Sequence, residues 1–307
     1  MGSFAGHAVP GAFFLVYGIW WIFASYWYYF YNKPTNSRVS KSKLKRESEL
    51  QRRSTLPTPC CPRIPLESIC KVILPFCGIL VETVFNWDGG IVLDPVHVHN
   101  PEDFSRLQHA TMYSFFLLSG MVDLCVYCVR FPKNCSKLFL VIAFVIEGML
   151  FHYHTEHRDP LNQRAHSILT LCIFGCAICA AVRMYCADNL QLNAGLGFFI
   201  TLQGTWFYQV AIVLYGKNSK SWEEDPMGAM YMGFALSWHV FIITVAMLLT
   251  WVLMAQMTRN STFQKLTSLQ RQRDIFIKPL LDSDDTSTTL LTAKRNNTNE
   301  GDAETVV

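Results

Sequence analysis

Apolar residues in this chain gather into seven long runs separated by short polar breaks, at about 10–31, 66–86, 107–130, 137–155, 163–185, 191–215 and 228–257. Each run approaches the roughly 20 residues an α-helix needs to cross about 30 Å of hydrocarbon. Lipid offers no partner to a free backbone N–H or C=O, so runs of this length predict helices. The expected fold is all-α, a seven-helix transmembrane bundle over residues 1–257 with a basic loop at 32–65. Residues 282–307 are rich in Asp, Thr and Asn, and the segment 258–307 reads as a disordered tail. The first run lacks a basic leader and ends in aromatic residues, Trp27 to Tyr31, so it reads as a span and not as a cleaved signal.

Composition adds little on its own, since a chain with 51% hydrophobic residues can also be soluble. The placement of charge adds more. Lys33, Arg38, Lys41, Lys43, Lys45, Arg46, Arg52, Arg53 and Arg63 follow the first run. Arg130, Lys133 and Lys137 follow the third, Arg183 closes the fifth, and Arg259, Lys265, Arg271 and Arg273 follow the seventh. All fall on one side of a seven-span count, and the opposite loops are acidic or mixed. The positive-inside rule then puts the N-terminus outside or in a lumen and the C-terminus in the cytosol. The basic loop suits anionic lipid headgroups, and its pattern does not suggest nucleic acid.

None of the eleven cysteines lies in an expected outer loop, which argues against a disulfide framework. Cys172, Cys176 and Cys179 read as small packing residues, while Cys60 and Cys61 are candidates for palmitoylation. The C-terminal Glu304-Thr305-Val306-Val307 has the form that adds as a strand to a PDZ domain.

Candidate chemistry concentrates between Glu147 and His166, which holds four of the nine histidines. Ionisable groups at membrane depth are costly and are usually functional. Glu147 lies roughly 12 Å below the outer end of the fourth span, and His239 lies roughly 16 Å down the seventh. Helical phase puts Glu147 and His154 on one face and turns His152 away. Imidazole and carboxylate together suit zinc or another transition metal. The candidate ligand set is Glu82, His109, Glu147, His154, His157, His166 and His239. The cytosolic half of the spans is expected to hold far fewer polar groups. The alternative is structural: polar side chains also hold membrane helices together.

The chain resembles the transmembrane protein 45 family, which includes epididymal transmembrane relatives and plant members and is described as a domain of unknown function. The resemblance rests on Gly6-His7-Ala8-Val9-Pro10-Gly11 and Gly18-Ile19-Trp20-Trp21, then Glu82, and then His109-Ala110-Thr111-Met112-Tyr113. It continues in Glu147 with Phe151-His152-Tyr153-His154, in Gln203-Gly204-Thr205-Trp206-Phe207, and in Trp238-His239. Where animal members often read His-Gly-Arg, this chain has Thr155-Glu156-His157-Arg158. The resemblance implies seven spans and brings no established reaction.

Three functions fit the sequence. One is a multi-pass protein with a His/Glu-lined, metal-binding pocket in its outer half. Another is a metal-dependent hydrolase of a lipid-like substrate, with Glu147 or Glu82 as general base. The third is a receptor-like scaffold that recruits partners through its tail. The orientation is testable without a function. Sequons at Asn134, Asn260 and Asn296 fall on the expected cytosolic side and should stay unglycosylated. A glycosidase-sensitive mobility shift at any of them in microsomes would reverse the assignment.

Overall fold

The structure is a computed structural model that describes residues 4–31, 55, 65–85, 101–129, 131–153, 158–225 and 227–260. Among these residues the secondary structure is helical. α1 is Phe4–Tyr31 and α2 is Leu66–Leu80, which continues as a π-helical turn, Val81–Phe85. Then follow α3 (Pro101–Cys128), α4 (Cys135–Tyr153), α5 (Pro160–Val182) and α6 (Leu190–Tyr215). A short α7 (Ser219–Glu224) precedes α8 (Gly228–Arg259). Six of these helices are long and apolar enough to cross a membrane: α1, α3, α4, α5, α6 and α8. The other expected span, α2, has 15 α-helical residues and 5 in its π turn.

Local chemistry sets several boundaries. Asp159 caps α5, its side chain accepting from the Asn162 N–H at 2.8 Å, with Pro160 in the first turn. Asn189 caps α6 in the same way from Leu192 at 3.1 Å. The turn between α3 and α4 needs a left-handed residue, and Asn134 supplies it at φ 63°. Its Nδ2 donates to the Met184 carbonyl at 2.8 Å, which ties this turn to the end of α5.

The chain forms two compact units, residues 1–252 and 253–307. Within the first, consecutive helices pack as neighbours from α2 to α6, and α1 closes the arc by lying along α6. The described part of the second unit is the end of α8 through Arg259, with Asn260 after it.

The α1–α6 contact depends on glycine. A Cβ on Gly18 would stand 2.5 Å from the Thr201 backbone nitrogen, and one on Gly204 would stand 2.4 Å from that of Leu15. Gly11 and Gly197 meet Phe207 and Ile22 in the same fashion, at 2.9 Å and 2.8 Å. Gly11 and Gly18 are seven apart on α1, as are Gly197 and Gly204 on α6, so each pair shares one helix face. Small residues on facing stripes let membrane helices approach closely. Trp21 and Phe207, both buried, complete the seam beside Gly197 and Gly11.

α8 is the most exposed span. Its Phe234, Phe241, Ile242, Leu248 and Leu249 face outward, as lipid-facing residues do. Its inner side meets α1 through Tyr26 and Trp251, and meets α5 and α6 through Ile243, Cys172 and Leu202.

Gly204→Val should lower stability by about 1–3 kcal/mol, the usual cost of forcing atoms into a packed core. Gly233→Val on α8, where nothing lies within 4 Å, should be close to neutral. Thermal unfolding of both variants in one detergent makes the comparison, and equal midpoints would refute the glycine seam.

Candidate functional site

Five helices, α1, α2, α3, α4 and α6, surround a cavity of about 120 Å³. Its walls are mainly aromatic and aliphatic, with Phe14, Trp21, Met112, Phe116, Leu140, Phe144, Phe151 and Phe207 among them. The polar side chains reaching it include His7, Tyr17, Lys71, His109, Tyr113 and Glu147.

At the end nearer the α1 N-terminus, the expected residues form two separate pairs. His109 Nδ1 lies 3.2 Å from Glu82 Oε1, joining α3 to the π turn after α2. π turns of this kind often sit at functional positions. His166 lies across α1 and α5 from His7, Nε2 to Nε2 at 3.3 Å, with both side chains buried. His166 Nδ1 is 3.0 Å from the Asn162 carbonyl, which can only accept, so Nδ1 carries hydrogen. In neutral His166 the Nε2 is therefore an acceptor, and His7 donates to it.

Glu147 is fully inside the bundle. Gln203 Nε2 donates to its Oε1 at 2.7 Å, and Cys176 Sγ donates to Gln203 Oε1 at 3.5 Å. The other carboxyl oxygen, Oε2, is buried and has no protein partner among the described residues. His239 is elsewhere, half-buried beside α6, 3.4 Å from Gln209 Oε1 and edge-on to Trp206. His152 is exposed beside Tyr153, turned away from Glu147 as its phase requires. His154 and His157 lie outside the described residues. So do Cys60, Cys61 and the C-terminal Val307.

The cavity thus brings together His109 and Glu147 of the expected set, with Glu82 behind His109 and His166 behind His7. His239 does not line it. Among the described residues no three His, Cys, Asp or Glu side chains gather as a metal site.

Two groups of buried polar residues lie outside the set expected from sequence. His7 lies before the apolar run that begins at Pro10, yet α1 begins at Phe4 and runs through that proline. The signal was present: His7, Gly11, Phe14 and Gly18 recur at helical spacing. The second group lies in the half of the bundle that the charge pattern predicts to be cytosolic, and it is richer in polar groups than expected. Lys71 on α2 pairs with Asp123 on α3, both buried, and Ser119 accepts from Lys71 at 3.2 Å. Ser136 at the start of α4 donates to the same Asp123. Nearby, Tyr17 donates to Glu67 at 2.8 Å. Lys137 and Arg183, counted from sequence among the charges that set orientation, are also buried, and Arg183 stacks on Trp21 at 4.7 Å. These charges were invisible as a cluster because their partners come from different helices.

Gly120 makes the ion pair reachable, since a Cβ there would stand 2.7 Å from the Lys71 carbonyl. Breaking a buried pair strands a charge, whereas replacing both members with apolar groups removes that cost. Asp123→Leu should lower stability by about 3–5 kcal/mol, and Lys71→Met with Asp123→Leu should recover much of it. Unfolding midpoints of the single and double variants decide the matter, and equal losses would argue against a coupled pair.

The fold, with six helices long and apolar enough to cross a bilayer, defines a multi-pass α-helical membrane protein. Residues 133–252 match the model of a family of unknown function (DUF716), a stretch that takes in α4 to α7 and most of α8. The chain is 22% identical over 263 residues to mouse transmembrane epididymal protein 1A, covering 81% of this chain and 79% of that protein. It is 25% identical over 149 residues to rat transmembrane epididymal protein 1, covering 46% of this chain and 48% of that one. These matches support the resemblance to the transmembrane protein 45 family that the motifs carry.

Proposed function

We propose that this is a seven-span membrane protein, N-terminus outside or lumenal and C-terminus cytosolic, that binds an apolar, lipid-derived molecule inside its bundle. In this reading α2 and its π turn form the additional span, about 30 Å long at the usual helical rise. The membrane domain runs to residue 257, and the tail that follows is cytosolic.

The cavity is the observation that carries the reading. Apolar cavities of about 150 Å³ in soluble proteins stay dry and take up ligands such as benzene. This one, of about 120 Å³, has walls of the same character. Such a site selects by shape and apolar burial, with a few polar groups fixing orientation. Glu147, His109 and Tyr113 are the groups placed to do that.

A metal-dependent hydrolase of a lipid-like substrate is the second reading, and the Glu82–His109 pair behind the cavity wall favours it. A catalytic zinc takes three protein ligands and one water. The pair supplies two donors, and His154 or His157 would have to supply the third.

Two measurements test these readings. Native mass spectrometry of the full chain in mild detergent should show about one bound apolar molecule per protein. Ile200→Phe, which fills the cavity from α6, should remove it. A wild-type protein that is always empty would end the first reading. Elemental analysis tests the second: bound zinc or another transition metal that is lost in His109→Ala would support it, and protein free of metal would sink it.

A further inference from the structure

Glu147 sits in a gap in a loop of aromatic rings. Phe144 precedes it by three residues on α4, and Phe151 follows it by four, so both flank it on one helix face. Phe144 meets Phe116 edge-on, with ring centres 5.3 Å apart. Phe116 meets Phe14 at 5.8 Å, and Phe14 stacks on Phe207 at 5.8 Å. Phe207 then meets Phe151 at 5.5 Å, which returns the loop to α4. All five rings and Glu147 line the one cavity.

The free group in this loop is the second oxygen of the Glu147 carboxyl. Gln203 holds Glu147 Oε1, and the buried Oε2 has no protein partner among the described residues. A buried carboxyl oxygen without a partner is costly, so a cavity occupant that pairs with it gains that energy, and an amine can do so by taking the proton of the acid. The same argument disfavours an anionic headgroup. Lys71 is the cation that reaches the cavity, and Asp123 and Ser119 already hold its ammonium. Aromatic rings around a carboxylate are the environment that recognises an ammonium ion, through the negative ring faces and the opposite charge.

Building on the ligand-binding reading above, we propose that the cavity ligand is an amine: an apolar body carrying one protonated amino group, held by Glu147 within the five phenylalanines. The entering amine takes the proton of the buried Glu147 carboxyl, so the ammonium–carboxylate pair forms inside the cavity with no change in net charge. Phe14, Phe116, Phe144, Phe151 and Phe207 cover the charge and the first carbons of the chain. Gln203 positions the carboxylate from α6 without touching the ligand.

The test uses the full chain in nanodiscs, with empty nanodiscs subtracted, and three labelled probes of equal length: n-octylamine, n-octanol and n-octanoate. The amine should bind about tenfold more tightly than the alcohol, in keeping with a buried cation–aromatic and charge contact, and the carboxylate should bind least. Glu147→Gln should bring the amine to the alcohol's affinity and leave alcohol binding unchanged, which also shows that the variant is folded. Glu147→Asp should keep part of the preference. Equal binding of amine and alcohol by the natural chain, or tighter binding of the carboxylate, overturns the amine assignment and leaves the apolar cavity in place. An amine preference that survives Glu147→Gln overturns the role of Glu147. Binding of none of the three overturns the ligand reading itself. Because the first comparison needs no substitution, a Glu147→Gln chain that fails to fold does not block the test.

Discussion

Close approach of α1 to α6 is the contact on which the rest of the bundle depends. These helices are far apart in sequence, and only their packing closes the arc that runs from α2 through α6. The approach exists because Gly11, Gly18, Gly197 and Gly204 present bare backbone on facing stripes. In lipid there is little hydrophobic drive to bring apolar helices together, so such packing must come from close van der Waals fit. The same phase that puts the glycines on the seam puts His7, Phe14, Tyr17 and Trp21 on the cavity. The cavity is therefore a by-product of one tight interface: α1 is pinned against α6, and α2 and α3 are left to span the remaining gap.

Polar groups inside the bundle follow from the same constraint. A buried donor or acceptor in a membrane has no water to turn to, so it is paired across helices or it is costly. The side of the bundle that carries the starts of α2 and α4 has Lys71, Asp123, Ser119 and Ser136 joining α2, α3 and α4. The opposite side has His7 with His166, and Glu82 with His109, joining four more helix ends. Between these layers, Glu147 is half-satisfied. That imbalance is set in the aromatic wall of the cavity, where the indole N–H of Trp21 is likewise without a protein partner among the described residues.

The cavity chemistry and the expected metal chemistry draw on the same residues and ask different things of them. A metal needs lone pairs converging on one point about 2 Å from each donor. The described histidines are instead spread over separate pairs on different helix contacts. An organic cation needs one carboxylate and aromatic surface, and those are what surround Glu147. Placement of the same residue types, not their inventory, separates the two uses.

Much of the fold was legible in the chain. Apolar runs longer than a bilayer leave the backbone no choice but helix, and six of the expected spans are helices long enough to cross. Phase along one helix was legible as well, since it depends only on the helical repeat: Glu147 turns inward and His152 outward. That Lys137 and Arg183, at span ends, are buried was not legible, because a sequence shows where a side chain is attached and not where a long one reaches. Lys71 and Asp123, 52 residues apart, meet only because Gly120 lets α2 and α3 touch. His7 joins the cavity only because α1 extends past Pro10 and is held to α6. The sequence by itself determined helix, span and face, which are local consequences of period and solvent. Tertiary structure decided which faces meet, because contacts between helices depend on interhelical distances that no run of residues encodes alone.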